Sequence, residues 1–412
     1  MTISTSTYPK AFLFFIFALS FGIVKAQEDT KDEKQQTEED LLNMEAVFTR
    51  PSLTSEKAPV ALGGYLEANT YHRTEEGITD GLSFQARRLT IFMAASISER
   101  IKFLTEIEFE DGGNEVEIEF AALDVAFHPL LNLRGGIVMN PIGAFNENHD
   151  GPKWEFVERP DVAVNLLAAT LANAGFGLYG KTYAGNWIFG YEAYLTNGFN
   201  SKIISNEEDK TFLPAAKDDS NRFMKNLSGK AMFTGKLAVK HRAFGEIGLS
   251  YMGGAYNKFE DDGEPVEDKA HVNVYAIDWN TTIKSTGTYL VGEAALIKVQ
   301  TPNTYTQQYG NKQYGVFLDV VQPVYRNKIF EWEDATFNIA ARFDYVDWNV
   351  GEFYETNTKI GDELIAITPG ISFRPSSKTV FRINYRYEWQ RDVINNPAEK
   401  AATWYFGFSS YF

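Results

Sequence analysis

The last twelve residues constrain this chain more than any other stretch. From Ala401 to Phe412, side chains Trp404, Phe406, Phe408, Ser410 and Phe412 fall on one face when counted by twos. Thr403, Tyr405, Gly407, Ser409 and Tyr411 fall on the other. A period of two is that of a β-strand, whose successive side chains point to opposite sides of the pleat. Chain ends are usually polar and mobile, so a strongly aromatic terminal strand needs a reason. The last strand of a transmembrane β-barrel has one: a lipid-facing side, aromatic residues at the interfaces, and pairing with the first strand. The alternative is a docked final strand of a soluble sheet.

The front of the chain supports the first reading. Lys10 precedes an apolar run from Ala11 to Val24, and Val24, Lys25 and Ala26 suit a signal-peptidase site. Residues 1–26 therefore read as a secretory signal peptide cut before Gln27, too short to span a bilayer as a helix. Later segments are broken every few residues by charge, Gly or Asn, which excludes a helical membrane protein. There is no cysteine, so thiolate metal sites, cysteine catalysis and a lipoprotein anchor are excluded. Aromatic residues are 15% of a chain with slightly negative mean hydropathy, a mixture that suits apolar-out, polar-in strands. The net charge of −16 becomes −18 once Lys10 and Lys25 leave with the signal peptide, which argues against nucleic-acid binding.

Residues 27–59 form a polar, Glu-rich periplasmic segment. Leu41 to Phe48 could make a short amphipathic turn near a barrel mouth, or a plain linker. From Val60 the sequence offers sixteen strand-like segments, near 60–73, 81–95, 99–111, 115–127, 131–141, 174–184, 187–198, 226–240, 243–255, 270–282, 287–300, 312–324, 335–349, 359–374, 379–391 and 401–412. The clearest sets Phe381, Ile383, Tyr385, Tyr387 and Trp389 against Arg382, Asn384, Arg386 and Glu388. Short and long connections alternate, as expected of an outer-membrane barrel with short periplasmic turns. Two connections break the pattern: a tight turn at 111–114, and 326–334, which is long for its rim. Residues 60–412 thus read as an all-β, antiparallel transmembrane barrel, most simply of sixteen strands.

Inward faces of such a barrel meet water. Glu106, Glu108 and Glu110 share a face, and Glu115, Glu117 and Glu119 repeat the pattern opposite Val116, Ile118 and Phe120. Such a wall would titrate upward unless water or cations screened it; Arg87, Arg88 and Arg134 are candidate cations. Arg342, Arg382 and Arg386 join them as candidate pore-lining residues. The longest interruption, 141–173, carries Lys153, Trp154, Glu155, Phe156, Glu158 and Arg159 and an apolar run at 166–172. Folded inward, this third outer loop would set Lys153, Glu155, Glu158 and Arg159 at a constriction; the alternative is an outward flap.

Arg87, Arg88 and Leu89, then Ile101 to Phe103, Glu106 to Phe109, Leu131 to Gly136, Pro141 to Gly143 and Trp154 to Val157 follow one another in order. This series resembles the phosphate/polyphosphate-selective porin family of Gram-negative outer membranes, in the broad sense, over about 60–412 and most strongly over 81–165. The resemblance implies a sixteen-stranded barrel, commonly trimeric, with an inward third loop and, in phosphate-selective members, a pore lined by arginine and lysine. Arg87, Arg88 and Arg134 match that pattern in position, whereas the acidic wall departs from it.

Competing motifs are weak. Gly175, Gly177 and Gly180 match G-x-G-x-x-G, but a strand rather than a helix follows. Glu260 to Glu264 lacks calcium-loop spacing. The histidines at 72, 128, 149, 241 and 271 show no paired zinc spacing. No catalytic signature is present, so the chain reads as a non-enzyme without cofactor or metal. The expected function is passive diffusion of small polar or charged solutes, phosphate or other anions among them, across the outer membrane. Its partners would be outer-membrane lipids, small hydrophilic solutes, the barrel-assembly machinery through the strand ending in Phe412, and two further copies in a homotrimer. The alternative is a plugged barrel that binds a ligand or partner at the cell surface.

Overall fold

The computed structural model describes residues 41–50, 53, 60–208, 210–302, 310–353 and 356–412. The expected signal peptide and the Glu-rich run at 28–40 lie outside the described residues.

The strands are β1 (Val60–Glu75), β2 (Ile78–Ser98), β3 (Ile101–Glu110), β4 (Glu115–His128), β5 (Leu131–Met139), β6 (Ala172–Ala184), β7 (Trp187–Thr196), β8 (Met232–His241) and β9 (Gly245–Ala255). A ribbon of two short strands, β10 (Glu260–Asp261) and β11 (Glu264–Pro265), stands apart from the main sheet. There follow β12 (His271–Ile283), β13 (Thr288–Val299), β14 (Lys312–Ile329), β15 (Trp332–Asp347), β16 (Glu363–Ser376), β17 (Thr379–Arg391) and β18 (Glu399–Tyr411). Apart from the ribbon, the strands form one closed, sixteen-stranded antiparallel barrel. β18 closes it against β1, from Tyr65 opposite Tyr411 to Glu75 opposite Ala401. Closure leaves no edge unpaired, which a bilayer requires of any sheet that crosses it.

On one rim every connection is short, from residues 99–100 to 377–378. The other rim carries 140–171, 197–231, 256–270, 300–311 and 348–362. The long turn expected at 326–334 is a two-residue turn, because β14 continues to Ile329 and pairs there with Trp332.

Outward faces are apolar: Leu62, Phe84, Phe176, Leu195, Leu249, Ile339, Ile371, Ile383, Trp404 and Phe406 are all exposed. A row of rings from Phe337 through Phe373 and Phe381 to Phe408 crosses β15–β18 toward the short-turn rim. Tyr314 beside Tyr345 and Tyr251 beside Tyr275 mark the other end. Two aromatic belts flanking an apolar band are what the two interfaces of a membrane favour.

β-bulges decide several side-chain directions. β2 slips by one residue against β1 between Glu67 and Ala68, leaving Arg87 with no opposite residue in β1. Arg87 and Arg88, neighbours that a regular pleat would point apart, therefore both reach interior partners. A second slip between Glu106 and Ile107 removes Glu119 from the β4 register and pairs Glu106 with Phe120. Phe120 thus turns inward and is buried, a correction to the strict alternation read over Glu115 to Phe120. Gly175 and Gly177 serve the wall: a Cβ on either would collide with the β7 backbone.

Candidate functional site

The barrel interior is the candidate site, and the chain fills much of it. Segment 140–171 hydrogen-bonds to strands all round the wall. The Gly143 carbonyl accepts from Lys236 on β8 at 2.7 Å, and the amides of Ala144 and Phe145 donate to Glu293 on β13. Arg342 on β15 donates to the Glu158 carbonyl at 2.7 Å, and Arg374 on β16 to the Glu155 carboxylate at 2.6 Å. Arg382 on β17 donates to the carbonyls of Gly151, Trp154 and Phe156. A segment touching strands on opposite sides of a closed barrel runs across its interior. Its apolar residues (Ile142, Phe145, Trp154, Val162, Leu166) pack with Val272, Val291, Ile297, Phe317, Val346 and Leu364 on the inward faces of β12–β16. That part of the wall is therefore a dry core, although inward faces were expected to meet water.

Residues 42–50, placed by the sequence outside the barrel, also lie against its inner wall. Asn43–Phe48 is a 3-10 helix. Leu42 and Met44 pack on Ile188 and Ala238, and Val47 on Leu104 and Phe120. The Asn43 amide donates to both oxygens of Glu246 at 3.0 Å, and Glu45 pairs with Lys181 at 2.7 Å. The Phe48 ring lies 3.5 Å beneath the Arg134 guanidinium. Arg50, fully buried, bonds Asp150 through Nε and Nη2 and Glu106 through Nη2 at 2.8 Å.

Arg87, Arg88, Glu106, Glu108, Glu117, Glu119, Arg134, Arg342, Arg382 and Arg386 all have partners inside the barrel, mostly one another or these two segments. Arg88 pairs with Glu108 and Glu110, while Arg134 turns away from the glutamate wall to Asp124 and Glu192. Arg342 holds Asp319, Arg382 holds Glu67, and Arg386 holds Glu388 and Asp161. Glu106 pairs with Arg50, and Glu119 accepts from the Thr170 hydroxyl. Arg87 reaches the loop carboxylate of Glu158, and Glu117 faces Arg222. Glu106, Glu108, Arg134, Lys236, Asp278, Glu293, Asp319, Arg342 and Arg382, spread around the circumference, are each at most 3% exposed. Water reaches Arg87 and Glu117, at 16% and 26% side-chain exposure, toward the long-loop rim.

Of the loop residues, Lys153 donates to the Ala46 carbonyl and Arg159 reaches Glu108 at 3.5 Å. Burial opposes charge on Glu158, but the two-pronged Arg87 contact outweighs it and holds the carboxyl at about 2. For Asp150, Arg50 likewise outweighs burial and keeps the carboxyl well below the usual range. Burial pulls the Lys153 ammonium down to about 8. His149 is raised: burial alone would lower it, but Glu106, 3.4 Å away, and Asp150 prevail.

Sequence reasoning missed Arg50, His149 and Asp150, whose meeting spans about a hundred positions. The dry part of the wall did leave a hint in β12 and β13, where Val272, Val274, Val291 and Ile297 make the inward face as apolar as the outward one.

No known protein-family model matches the chain. An uncharacterized protein of Aquifex aeolicus (strain VF5) is 27% identical over 369 residues, covering 85% of this chain and 80% of that protein. Among solved structures, an anion-selective porin from Comamonas acidovorans superposes with TM-score 0.55 at 11% identity, over 86% of this chain and 99% of that one. In-vitro folded OmpT of Vibrio cholerae, in its trimer form, gives TM-score 0.50 at 9% identity over 86% and 100%. At these identities the likeness is one of fold: the chain has the sixteen-stranded barrel fold of outer-membrane porins.

Proposed function

We propose that this protein is an outer-membrane channel of the porin type, passing small polar or charged solutes by passive diffusion with segment 140–171 as the filter. The observation that carries the reading is a closed barrel, apolar outside and charged inside, with a loop laid across its interior. Pore width and charge placement then select solutes without chemistry. Arg87, Glu110, Glu117 and Glu158, partly open to water near the long-loop rim, form the entry. They offer both signs of charge, and the arginines of the phosphate-selective pattern (Arg87, Arg88, Arg134) are all held by carboxylates. This supports weak ion selectivity over a dedicated phosphate path. Export through residues 1–26, assembly through the strand ending in Phe412, and a homotrimer like the OmpT trimer form complete the proposal.

A second reading, a plugged barrel that binds a ligand at the cell surface, is favoured by the burial of the charged ring. Reversal potential in a planar bilayer under a salt gradient, with chloride and then phosphate, separates the two. Discrete conductance supports the channel; the cation or anion preference then names the dominant wall. A silent bilayer with folded protein supports the plugged barrel.

A further inference from the structure

The surroundings of Arg50 have the features of a recognition site. Its Cζ lies 3.8 Å above the Phe92 ring. Nε and Nη2 fork onto Asp150 at 2.9 and 2.5 Å, and Nη2 also meets Glu106 at 2.8 Å. Two carboxylates and an aromatic face, drawn from loop, β3 and β2, match a planar cation in shape as well as charge. The acids are also held independently of Arg50. The Tyr411 hydroxyl donates to Asp150 at 2.6 Å, and His149 Nε2 stands 3.4 Å from Glu106. A cradle fixed by its own neighbours persists when its occupant leaves. Arg50 fills it incompletely, since the buried Nη1 has no hydrogen-bond partner. Arg50 is carried by residues 42–50, which precede the first strand and are not framed by two adjacent strands as 140–171 is.

We propose that this cradle is a cation site of the pore for a guanidinium-type group, with Arg50 as its tethered resident. Residues 42–50 then close the passage by occupying the place that a cationic solute takes once they withdraw. The proposal rests on the channel reading.

The test uses the full-length protein and the variant Arg50→Ala, in planar bilayers and in detergent, with guanidinium chloride at low millimolar concentration as probe. Sodium chloride at equal ionic strength is the control. The variant should conduct about twofold or more above the parent. Guanidinium, and not sodium, should lower that conductance again and raise the variant's melting midpoint by a few degrees, leaving the parent unmoved. Conductance equal in both proteins overturns the plug. A variant indifferent to guanidinium, or a response surviving Asp150→Asn in the Arg50→Ala background, overturns the site. If Arg50→Ala fails to fold, Arg50→Lys keeps the charge and loses the fork; smaller changes of the same sign are then expected, and the absence of any change overturns the proposal. Silence of both folded proteins removes the channel reading, while the melting shift still decides the site.

Discussion

Two of the segments that meet inside the barrel are anchored differently. Segment 140–171 is tied into the wall at both ends, by β5 and β6, and carries its own apolar core against β12–β16. Residues 42–50 rest on small apolar contacts and a chain of polar ones ending in Arg50. Apolar burial is non-directional and tolerates adjustment. A buried ion pair gives a small net gain while complete and a large penalty when broken. The first segment is thus framed by two strands and backed by a core, and the second ends on a buried ion pair. An insertion in a barrel need not be a fixed constriction: what matters is whether core or charge holds it.

The largest expected effect is on the loop. Trp154 is 7% exposed and packs 4.9 Å from Phe145. Trp154→Ala should cost about 3–5 kcal/mol, seen as a lowered melting midpoint in detergent. A midpoint within error of the parent would mean that the loop is no more integral than residues 42–50.

Phe48→Ala is the matching test on the other segment. It removes the contact with Phe120 and the ring under Arg134, and should weaken docking by about 1–2 kcal/mol with the barrel's midpoint unchanged. The chain has no cysteine, so maleimide labelling of a Val47→Cys probe reads undocking directly. Faster labelling at constant midpoint supports two separable segments; a coupled fall in midpoint argues that they act as one.

Acidity sharpens the contrast at the junction. The His149 pKa lies above its ordinary 6.5, so its contribution is complete below pH 6.5 and fades as pH rises through the raised value. Lys153 works the other way: its pKa is depressed to about 8 from 10.5, so stability is regained as pH climbs between the two. A midpoint that falls above pH 6.5 and flattens in His149→Gln is the expected result. Each tenfold gain in proton affinity on folding is worth about 1.4 kcal/mol. An unchanged slope in the variant would remove His149 from the junction.

Glu158→Gln should have the smallest effect on stability, below about 1 kcal/mol, because its carboxylate is 32% exposed to screening water. It should still move the reversal potential toward anions by freeing Arg87. No change in that potential would place the filter elsewhere.

Much of the fold was legible because barrel strands carry local signals. The faces read for β17 stand: Arg382 and Asn384 are buried while Phe381 and Ile383 face outward. The interior was legible only as a list of charges. Alternation says that Glu106 and Arg382 point inward, and nothing in either strand says what they meet there. Glu106 meets Arg50, 56 positions away, and Arg382 meets Glu67, 315 positions away. Bulges add a second blind spot: one extra residue put Arg87 inside beside Arg88 and turned Phe120 inward.

By itself, then, the sequence determined a closed antiparallel barrel, its strand number and the apolar, outward-facing side of its strands, because a two-residue period needs only neighbours in the chain. The tertiary structure alone decided what occupies the interior. Which carboxylate each arginine finds, whether an inward face is wet or dry, and where residues 42–50 dock depend on distances across the barrel. Those distances exist only after β18 has closed on β1, since desolvated charges choose partners by proximity in space.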